Sequence, residues 1–325
     1  MTPPVNRRTL LAFLNAAAFA GSSTLFARLA AAQDATSAAP PPAPPSREIL
    51  GAGLDSASRM TVPIMVGGQG PFTFIVDTAL ERTIIAGELA EQLNLAEGPK
   101  TTVHTMTGRV NIGSAILPRV ELNGLVLPIK TAPKFSEKNI GAKGVLGIDA
   151  LKAQRVVLNL RTGAMTMNTD PTFDPNWDGE TITVTARSKL GQLVLTNAGV
   201  GADDSDISVI INTGSETSVG NQALKKFMQR TGSLKNFKTA TLISISGEQT
   251  PVDYVVTQRL RVGGMVVGSL PIAFTDAHAF RRFGLNRERA LLLGMDVLKL
   301  FDQVALNFQK RTVQFFWTTP GKQAA

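Results

Sequence analysis

The chain contains no cysteine, two histidines, one tyrosine and two tryptophans among its 325 residues. Without cysteine it has no disulfide framework, no thiol nucleophile and no thiolate metal site. His104 and His278 are the only histidines and are far apart in the sequence, so the sequence gives little support for a Ser-His-Asp triad or a histidine-based metal site. We therefore predict neither a metal nor a cofactor.

Aromatic residues are also scarce, at 6%, and neither an RNP nor a helix-turn-helix pattern is present. The formal net charge of +8 falls to +5 if the first 32 residues, with three arginines and no acid, are removed. We therefore predict no nucleic-acid partner. Hydrophobic residues make up 43% and charged residues 18% of the chain, a composition typical of a globular protein.

Residues 1–32 have the layout of an export signal. Arg7 and Arg8 precede a moderately apolar run, and residues 30–32 (Ala-Ala-Ala) offer a small-residue cleavage site. The paired arginines resemble bacterial twin-arginine signals and predict a periplasmic protein. The apolar run is almost long enough to span a bilayer, so an uncleaved membrane anchor is the alternative. After cleavage we expect no stable membrane insertion.

A spacer rich in proline and alanine follows at 33–48, and we expect it to be extended and without a core. The remainder divides into a first lobe at 49–170, a second at 171–319 and a short tail at 320–325. This division comes from an internal duplication, because residues 74–79 (Phe-Ile-Val-Asp-Thr-Ala) return at 209–214 as Val-Ile-Ile-Asn-Thr-Gly.

Each copy is followed by a second apolar stretch containing glycine, at 144–152 and 292–299. A long repeat that occurs twice indicates two similar lobes of one molecule, since a solenoid needs three or more units. Asp149 and Asp296 each precede a short helical pattern, where we predict that they act as helix N-caps.

Short strands and turns dominate the patterns between these motifs. Hairpins are predicted at 103–110 and 242–249, and Asn123-Gly124 between two apolar runs is a strong type I′ turn motif. Helical patterns are few and short. The sequence therefore predicts an all-β fold, mainly β with a few short helices.

The ordered set of an apolar strand, Asp-Thr-Gly or a variant, a glycine-bearing flap and an apolar-apolar-glycine stretch resembles the aspartic proteases of the pepsin and retropepsin clan. Its occurrence twice in register resembles the bilobal pepsin arrangement, and residues 70–78 are similar to bacterial retropepsin-like aspartyl proteases. The resemblance covers residues 58–317. It implies two pseudo-symmetric lobes, with an active site in the cleft between them and an extended peptide or unfolded segment bound under the flaps.

The resemblance places Asp77 at the first catalytic position and Asn212 at the second, a degenerate partner. It implies that Thr78, Ala79, Thr213 and Gly214 support the active-site loops. It also implies that seven residues form the flaps over the substrate: Thr105, Met106, Thr107, Gly108, Ile245, Ser246 and Gly247. Ala79 replaces the usual glycine, which we expect the loop to tolerate if φ there is negative.

Asn212 decides which chemistry is available. Aspartic proteases use two close carboxylates that share one proton, and an amide can donate a hydrogen bond but cannot carry the shuttled proton. It also removes the negative neighbour that would raise the pKa of Asp77. A penalty of about 10²–10⁴-fold follows if one acid–base step is lost.

Three hypotheses remain. The chain is an endopeptidase with a weakened Asp/Asn pair, a pseudopeptidase that binds peptides without cutting, or an enzyme in which the first lobes of two chains meet and bring two copies of Asp77 together. We favour a monomer, because the second lobe occupies the surface that a second chain would need.

Glu81 and Glu216 follow the two motifs at matching places, where we predict exposed residues rather than substitutes for Asn212. His104 lies beside the first flap and is predicted to be a surface strand residue.

Overall fold

The computed structural model describes residues 46–170, 172–175, 177–200, 205–232, 237–257, 259–268 and 270–318. The predicted export signal, most of the spacer and the predicted tail lie outside these residues. Within the described ranges, no helix is both long and apolar enough to cross a membrane.

The first copy folds into thirteen short strands and three short helices over residues 47–168. In chain order the elements are β1 Arg47–Glu48, β2 Gly53–Leu54, β3 Met60–Val66, β4 Gln69–Val76, β5 Ile84–Ala86, α1 Gly87–Gln92, β6 Glu97–His104, β7 Arg109–Ile116, β8 Val120–Leu122, β9 Leu125–Leu127, β10 Thr131–Phe135, α2 Glu137–Ile140, β11 Gly144–Leu146, α3 Ile148–Leu151, β12 Arg155–Asn159 and β13 Met165–Asn168.

The described part of the second copy contributes twelve strands and three helices. They are β14 Glu180–Lys189, β15 Gln192–Val200, β16 Ser205–Ile211, β17 Val219–Gly220, α4 Gln222–Arg230, β18 Lys238–Ile243, β19 Gln249–Thr257, β20 Leu260–Val262, β21 Met265–Val267, β22 Leu270–Phe274, α5 His278–Arg282, β23 Ala290–Leu293, α6 Met295–Leu298, β24 Gln303–Asn307 and β25 Thr312–Trp317.

The two lobes share one topology. The first lobe orders its strands β6-β7-β10-β5-β11-β4-β3-β8-β9, and the second continues from β15 as β16-β23-β17-β22-β19-β18, with β20 and β21 paired beside β15. In each lobe the strand before the Asp/Asn motif runs parallel to the later apolar strand, Leu146 beside Val76 and Leu293 beside Ile211. The prediction of two pseudo-symmetric, mainly β lobes is confirmed.

Burial explains the sequence patterns of these strands. β3 alternates between buried and half-buried residues, as a strand with one face on the core does, whereas β11 and β23 are buried throughout. The predicted hairpins form from β6–β7 and β18–β19. The turn at Asn123-Gly124 has positive φ at both residues, as a type I′ turn requires.

A continuation of the second lobe's sheet, beyond β15, joins the two lobes at their base. Its order is β1-β13-β12-β24-β25-β14, and β12 of the first copy pairs antiparallel with β24 of the second from Arg155 beside Asn307 to Asn159 beside Gln303. β1 belongs to this sheet. β1 lies within the segment 33–48, which we predicted to be an extended spacer.

Candidate active site

Asp77 and Asn212 occupy equivalent places, each directly after the end of a buried strand, β4 or β16. The Asp77 amide donates to Leu146 O at 3.0 Å, and the Asn212 amide donates to Leu293 O at 2.9 Å. The parallel neighbour strand therefore fixes the point at which each loop leaves the sheet.

Two glycines allow that neighbour strand to pass directly behind the loop. A Cβ at Gly147 would lie 2.9 Å from Leu80 O, and one at Gly294 would lie 2.8 Å from Thr217 O. Backbone atoms cannot move aside as a flexible side chain can. Any larger residue at either position would therefore push the loop carrying Asp77 or Asn212 out of place.

Asp149 and Asp296 hold these loops in place through hydrogen bonds. The Asp149 carboxylate accepts hydrogen bonds from the amide and hydroxyl of Thr83, at 2.9 and 2.8 Å, and Asp296 holds Ser218 in the same way. Both acids lie within the first helical turn, whereas glycines occupy the N-cap positions. The N-cap prediction was wrong, since each carboxylate mainly holds a residue that is far away in sequence.

Thr78 and Thr213 tie the two lobes together through four buried hydrogen bonds. The Thr78 hydroxyl donates to Ile211 O at 2.8 Å and accepts from the Thr213 amide at 3.3 Å. Reciprocally, the Thr213 hydroxyl donates to Val76 O at 2.7 Å and accepts from the Thr78 amide at 3.1 Å. The Thr78 and Thr213 hydroxyl groups thus find their hydrogen-bond partners in the opposite lobe of the same chain.

The carboxyl group of Asp77 is half-buried at the floor of the cleft. Burial raises its pKa to about 6, against the lowering effect of hydrogen bonds from the Ala79 and Leu80 amides and of the positive charge of Arg59. The Ala79 amide donates to Asp77 Oδ1 at 2.8 Å. We expected the pKa of Asp77 to lose its elevation without a second carboxylate, but removal from water supplies it instead.

Asn212 is more deeply placed, with 6% of its surface exposed. Its Oδ1 accepts from the Gly214 amide at 3.2 Å, which mirrors the bond from Ala79 to Asp77 but is longer. The amide group therefore has its oxygen engaged within its own loop. Ala79 is not among the residues with positive φ, so its methyl group causes no backbone strain.

Both loops open into one cleft of about 480 Å³ between the lobes. Its walls are a mixture of polar and apolar residues, and its charged lining residues are Arg59, Asp77 and Glu216. The apolar lining residues include Ile75, Leu80, Met106, Ile140, Val145, Leu242, Ile243, Ile245 and Leu292. Among the described residues, no cluster of three or more histidine, aspartate and glutamate side chains could hold a metal ion.

The first flap, which we define as residues 104–109, crosses to the opposite lobe. The His278 amide at the start of α5 donates to Met106 O at 2.7 Å, and the Met106 side chain packs on a cluster of the second lobe that includes Phe280. Thr105 and Met106 line the cleft. Thr107 and Gly108 do not line it.

The second flap, which we define as residues 243–249, crosses in the other direction. Gly247 lies against the side chain of Asn139 in α2, so close that a Cβ would meet Asn139 Nδ2 at 2.7 Å. Ile245 lines the cleft, whereas Ser246 and Gly247 form the turn beyond it. Each flap thus contacts the equivalent short helix of the opposite lobe.

A pair of histidines completes the contact of the first flap. His104 Nδ1 lies 2.7 Å from His278 Nε2, and both side chains are half-buried. Burial lowers the pKa of both imidazoles. The charged groups that act on the pair are Glu81, Arg109, Arg281 and Arg282.

The histidine contact is the feature that the sequence did not predict. His104 is the last residue of β6 and is half-buried, and its ring contacts His278, which lies 174 positions later in the sequence. Glu81 is likewise engaged with the opposite lobe, through an ion pair with Arg282 at 3.0 Å. Glu216 is exposed at the cleft, as we predicted. Only an alignment of the two lobes, which sets α5 opposite the first flap, would have indicated these pairs.

Comparison with known families gives one match in each lobe. Residues 62–153 match a family described as "gag-polyprotein putative aspartyl protease", and residues 198–297 match a family described as "Aspartyl protease". The two matches contain Asp77 and Asn212 respectively, together with the flaps and the glycine stretches behind the loops. No match was found among curated proteins.

Proposed function

The chain carries two aspartyl protease domains in tandem, a bilobal retropepsin-like arrangement, and from that premise we propose that its cleft binds extended peptide segments and hydrolyses them slowly. The observation that carries this proposal is the set of reciprocal hydrogen bonds that Thr78 and Thr213 make across the lobes, because these bonds hold Asp77 and Asn212 in one cleft.

Asp77 is the one ionisable group of the pair. With a pKa of about 6 it is ionised at neutral pH, where it can take a proton from a water molecule that attacks the peptide carbonyl. The Asn212 amide nitrogen can donate a hydrogen bond to the carbonyl oxygen as negative charge develops there. Asp77 must then return the same proton to the leaving amine, because no second acid stands beside it.

Because position 212 is Asn rather than Asp, the reaction has no separate proton donor. General acid–base steps contribute about 10²–10⁴-fold, so we expect turnover lower by that range than in a matched two-carboxylate site. The other residues that line the cleft, including those of the two flaps, are the same whether position 212 is Asp or Asn, and peptide binding does not require the missing proton.

A pseudopeptidase that only binds peptides is the second candidate. The observation in its favour is the burial of Asn212 with its oxygen bonded to the Gly214 amide, which places a group that does not titrate at the position equivalent to Asp77. In that case the cleft is a binding module for unfolded segments, and Asp77 serves as a hydrogen-bonding group.

The test uses the mature chain with fluorescein-labelled denatured casein between pH 4 and pH 8. We expect slow cleavage that Asp77→Ala abolishes and that Asn212→Asp increases, with casein binding retained in Asp77→Ala. The same change at exposed Asn94, Asn94→Asp, is the matched control and leaves cleavage unchanged.

Each alternative result has one meaning. No cleavage by the wild-type chain, with casein binding intact, supports the pseudopeptidase. Cleavage that survives Asp77→Ala contradicts the assignment of Asp77 and points to another site or a contaminant. Absence of both binding and cleavage overturns the proposal of a peptide cleft.

We further propose that the protein is exported to the periplasm through a twin-arginine signal, on the evidence of Arg7, Arg8 and the apolar run after them. Arg7→Lys together with Arg8→Lys should stop export, and unchanged secretion would rule out this route. The size of the exported chain distinguishes a cleaved signal from a retained membrane anchor.

We also propose that the mature chain acts as a monomer. The support is that Thr78 finds its hydrogen-bond partners within the same chain, so the site does not require a second copy. Light scattering should give the mass of one chain across a wide range of concentrations. A concentration-dependent dimer would contradict this proposal.

A further inference from the structure

Gly214 lies directly beneath the carboxyl group of Asp77. A Cβ built on Gly214 would lie 2.7 Å from Asp77 Cβ, and closer still to the carboxyl carbon and Oδ2. Carbon atoms in contact are ordinarily about 3.5–4.0 Å apart. Asp77 therefore occupies its position in the cleft only because position 214 has no side chain.

The two loops are related to each other by a local twofold symmetry. Each threonine hydroxyl accepts from the other threonine's amide, and each loop donates from its third residue to the side chain of its first. The residue equivalent to Gly214 is Ala79, which does carry a methyl group. The symmetry implies that this methyl group points towards the side chain at position 212, as a substituent on Gly214 would point towards Asp77.

The side chain at 212 has a different position from that of Asp77. The bond from Gly214 N to Asn212 Oδ1 is 3.2 Å, against 2.8 Å for the bond from Ala79 N to Asp77 Oδ1. Asn212 is buried with 6% of its surface exposed, whereas Asp77 is half-buried. The loop of the first lobe, which has the extra methyl group, thus faces the more withdrawn of the two side chains.

We propose that the Ala79 methyl group occupies the space that a second carboxylate would need, and that Ala79 is a positioning residue that holds side chain 212 away from Asp77. Two carboxyl groups that share a proton must approach to about 2.5–2.7 Å between oxygens. The chain thus departs from a proton-sharing pair at two positions, 79 and 212, and reversing one of them does not rebuild the pair. This inference deepens the proposed function and rests on it for the meaning of the pair, although its geometry can be tested separately.

The experiment compares the wild-type chain with Asn212→Asp, Ala79→Gly, and the double variant. The first measurement is the titration of the active-site carboxyl groups by carbon-13 NMR. We expect the double variant to titrate in two steps separated by at least one pH unit more than in Asn212→Asp, because like charges at short range cannot both ionise. Ala79→Gly alone keeps Asn at position 212, so Asp77 has no carboxyl partner there and should titrate in a single step.

The second measurement is casein cleavage by the same four proteins. We expect the double variant to exceed Asn212→Asp by at least tenfold. Ala79→Ser combined with Asn212→Asp is the matched control, because serine keeps the Cβ atom. It should resemble Asn212→Asp in both the titration and the cleavage assay.

The outcomes separate this inference from the proposed function. If Asn212→Asp alone gives the same separation of titration steps as the double variant, Ala79 has no positioning role, whatever happens to casein. If the serine control matches the double variant, the methyl group is again not the cause. If the titration behaves as expected while no variant binds or cleaves casein, Ala79 is a positioning residue and the peptide cleft is refuted.

Discussion

Replacing Thr78 or Thr213 by valine removes a hydroxyl group from the crossing between the lobes while it preserves the side-chain shape. Both threonines are at most 2% exposed. Each substitution leaves one backbone carbonyl and one backbone amide without a partner in a dry interface, Ile211 O and the Thr213 amide in the case of Thr78→Val. An unsatisfied buried group costs about 1–3 kcal/mol, so we expect each variant to lose about 2–5 kcal/mol of unfolding free energy.

Serine provides the matched control. Thr78→Ser and Thr213→Ser keep the hydroxyl group and remove one methyl group, which is worth about 0.8 kcal/mol of burial. Urea unfolding followed by circular dichroism gives the free energies of all four variants, and casein binding at low urea reports whether the cleft survives. We expect both valine variants to be less stable than their serine counterparts and to bind casein more weakly.

The double variant Thr78→Val/Thr213→Val tests whether the four bonds act as one unit. Because the two hydroxyl groups hold the same pair of loops, its loss of stability should be smaller than the summed losses of the single variants by about 0.5–3 kcal/mol. Valine variants within about 0.5 kcal/mol of the wild type, the range of ordinary surface substitutions, would refute the argument. The loops would then be held by the sheets alone.

Three further predictions concern charge. Unfolded Asp77 loses its proton near 3.8 and folded Asp77 near about 6, so its contribution to stability is full in acid and is lost as the pH rises between these values. Relative to Asp77→Asn, the wild-type unfolding free energy should fall by at most about 3 kcal/mol over that range, measured by urea unfolding at each pH. Protonation of both His104 and His278 in acid should break their bond. The protection of first-flap amides against hydrogen exchange, relative to the intrinsic exchange rate at each pH, should therefore fall at low pH in the wild type but not in His104→Gln. Glu81→Gln removes the partly exposed ion pair with Arg282 and should cost no more than about 1 kcal/mol, less in high salt, as measured by thermal unfolding.

The sequence predicted the features that depend on neighbours along the chain. The Asn123-Gly124 turn, the flap hairpins and the two buried strands before Asp77 and Asn212 all follow from local rules of alternation and turn chemistry. The duplication made one longer-range prediction possible, because equivalent positions in the two copies imply equivalent places in the two lobes. The sequence alone therefore indicated that Asp77 and Asn212 are equivalent residues of the two lobes.

Contacts between distant residues were not predictable in this way. Asp149 looked like a helix cap because the helical pattern after it is local, whereas its actual partner, Thr83, lies 66 residues earlier. His104 and His278 carry no local pattern that marks them as a pair. The elevated pKa of Asp77 also depends on burial by the whole cleft, which a sequence motif does not record.

The sheet at the base, in which β12 of the first lobe pairs with β24 of the second, limits how the molecule can be divided. A fragment containing one lobe alone would present β12 or β24 as an unpaired edge, with the hydrogen-bonding groups of Arg155–Asn159 or Gln303–Asn307 open to any other strand. Such a fragment should aggregate or capture another polypeptide by strand addition. Proteolytic cleavage between β13 and β14 leaves this pairing intact, and the two resulting pieces should therefore stay associated and elute together.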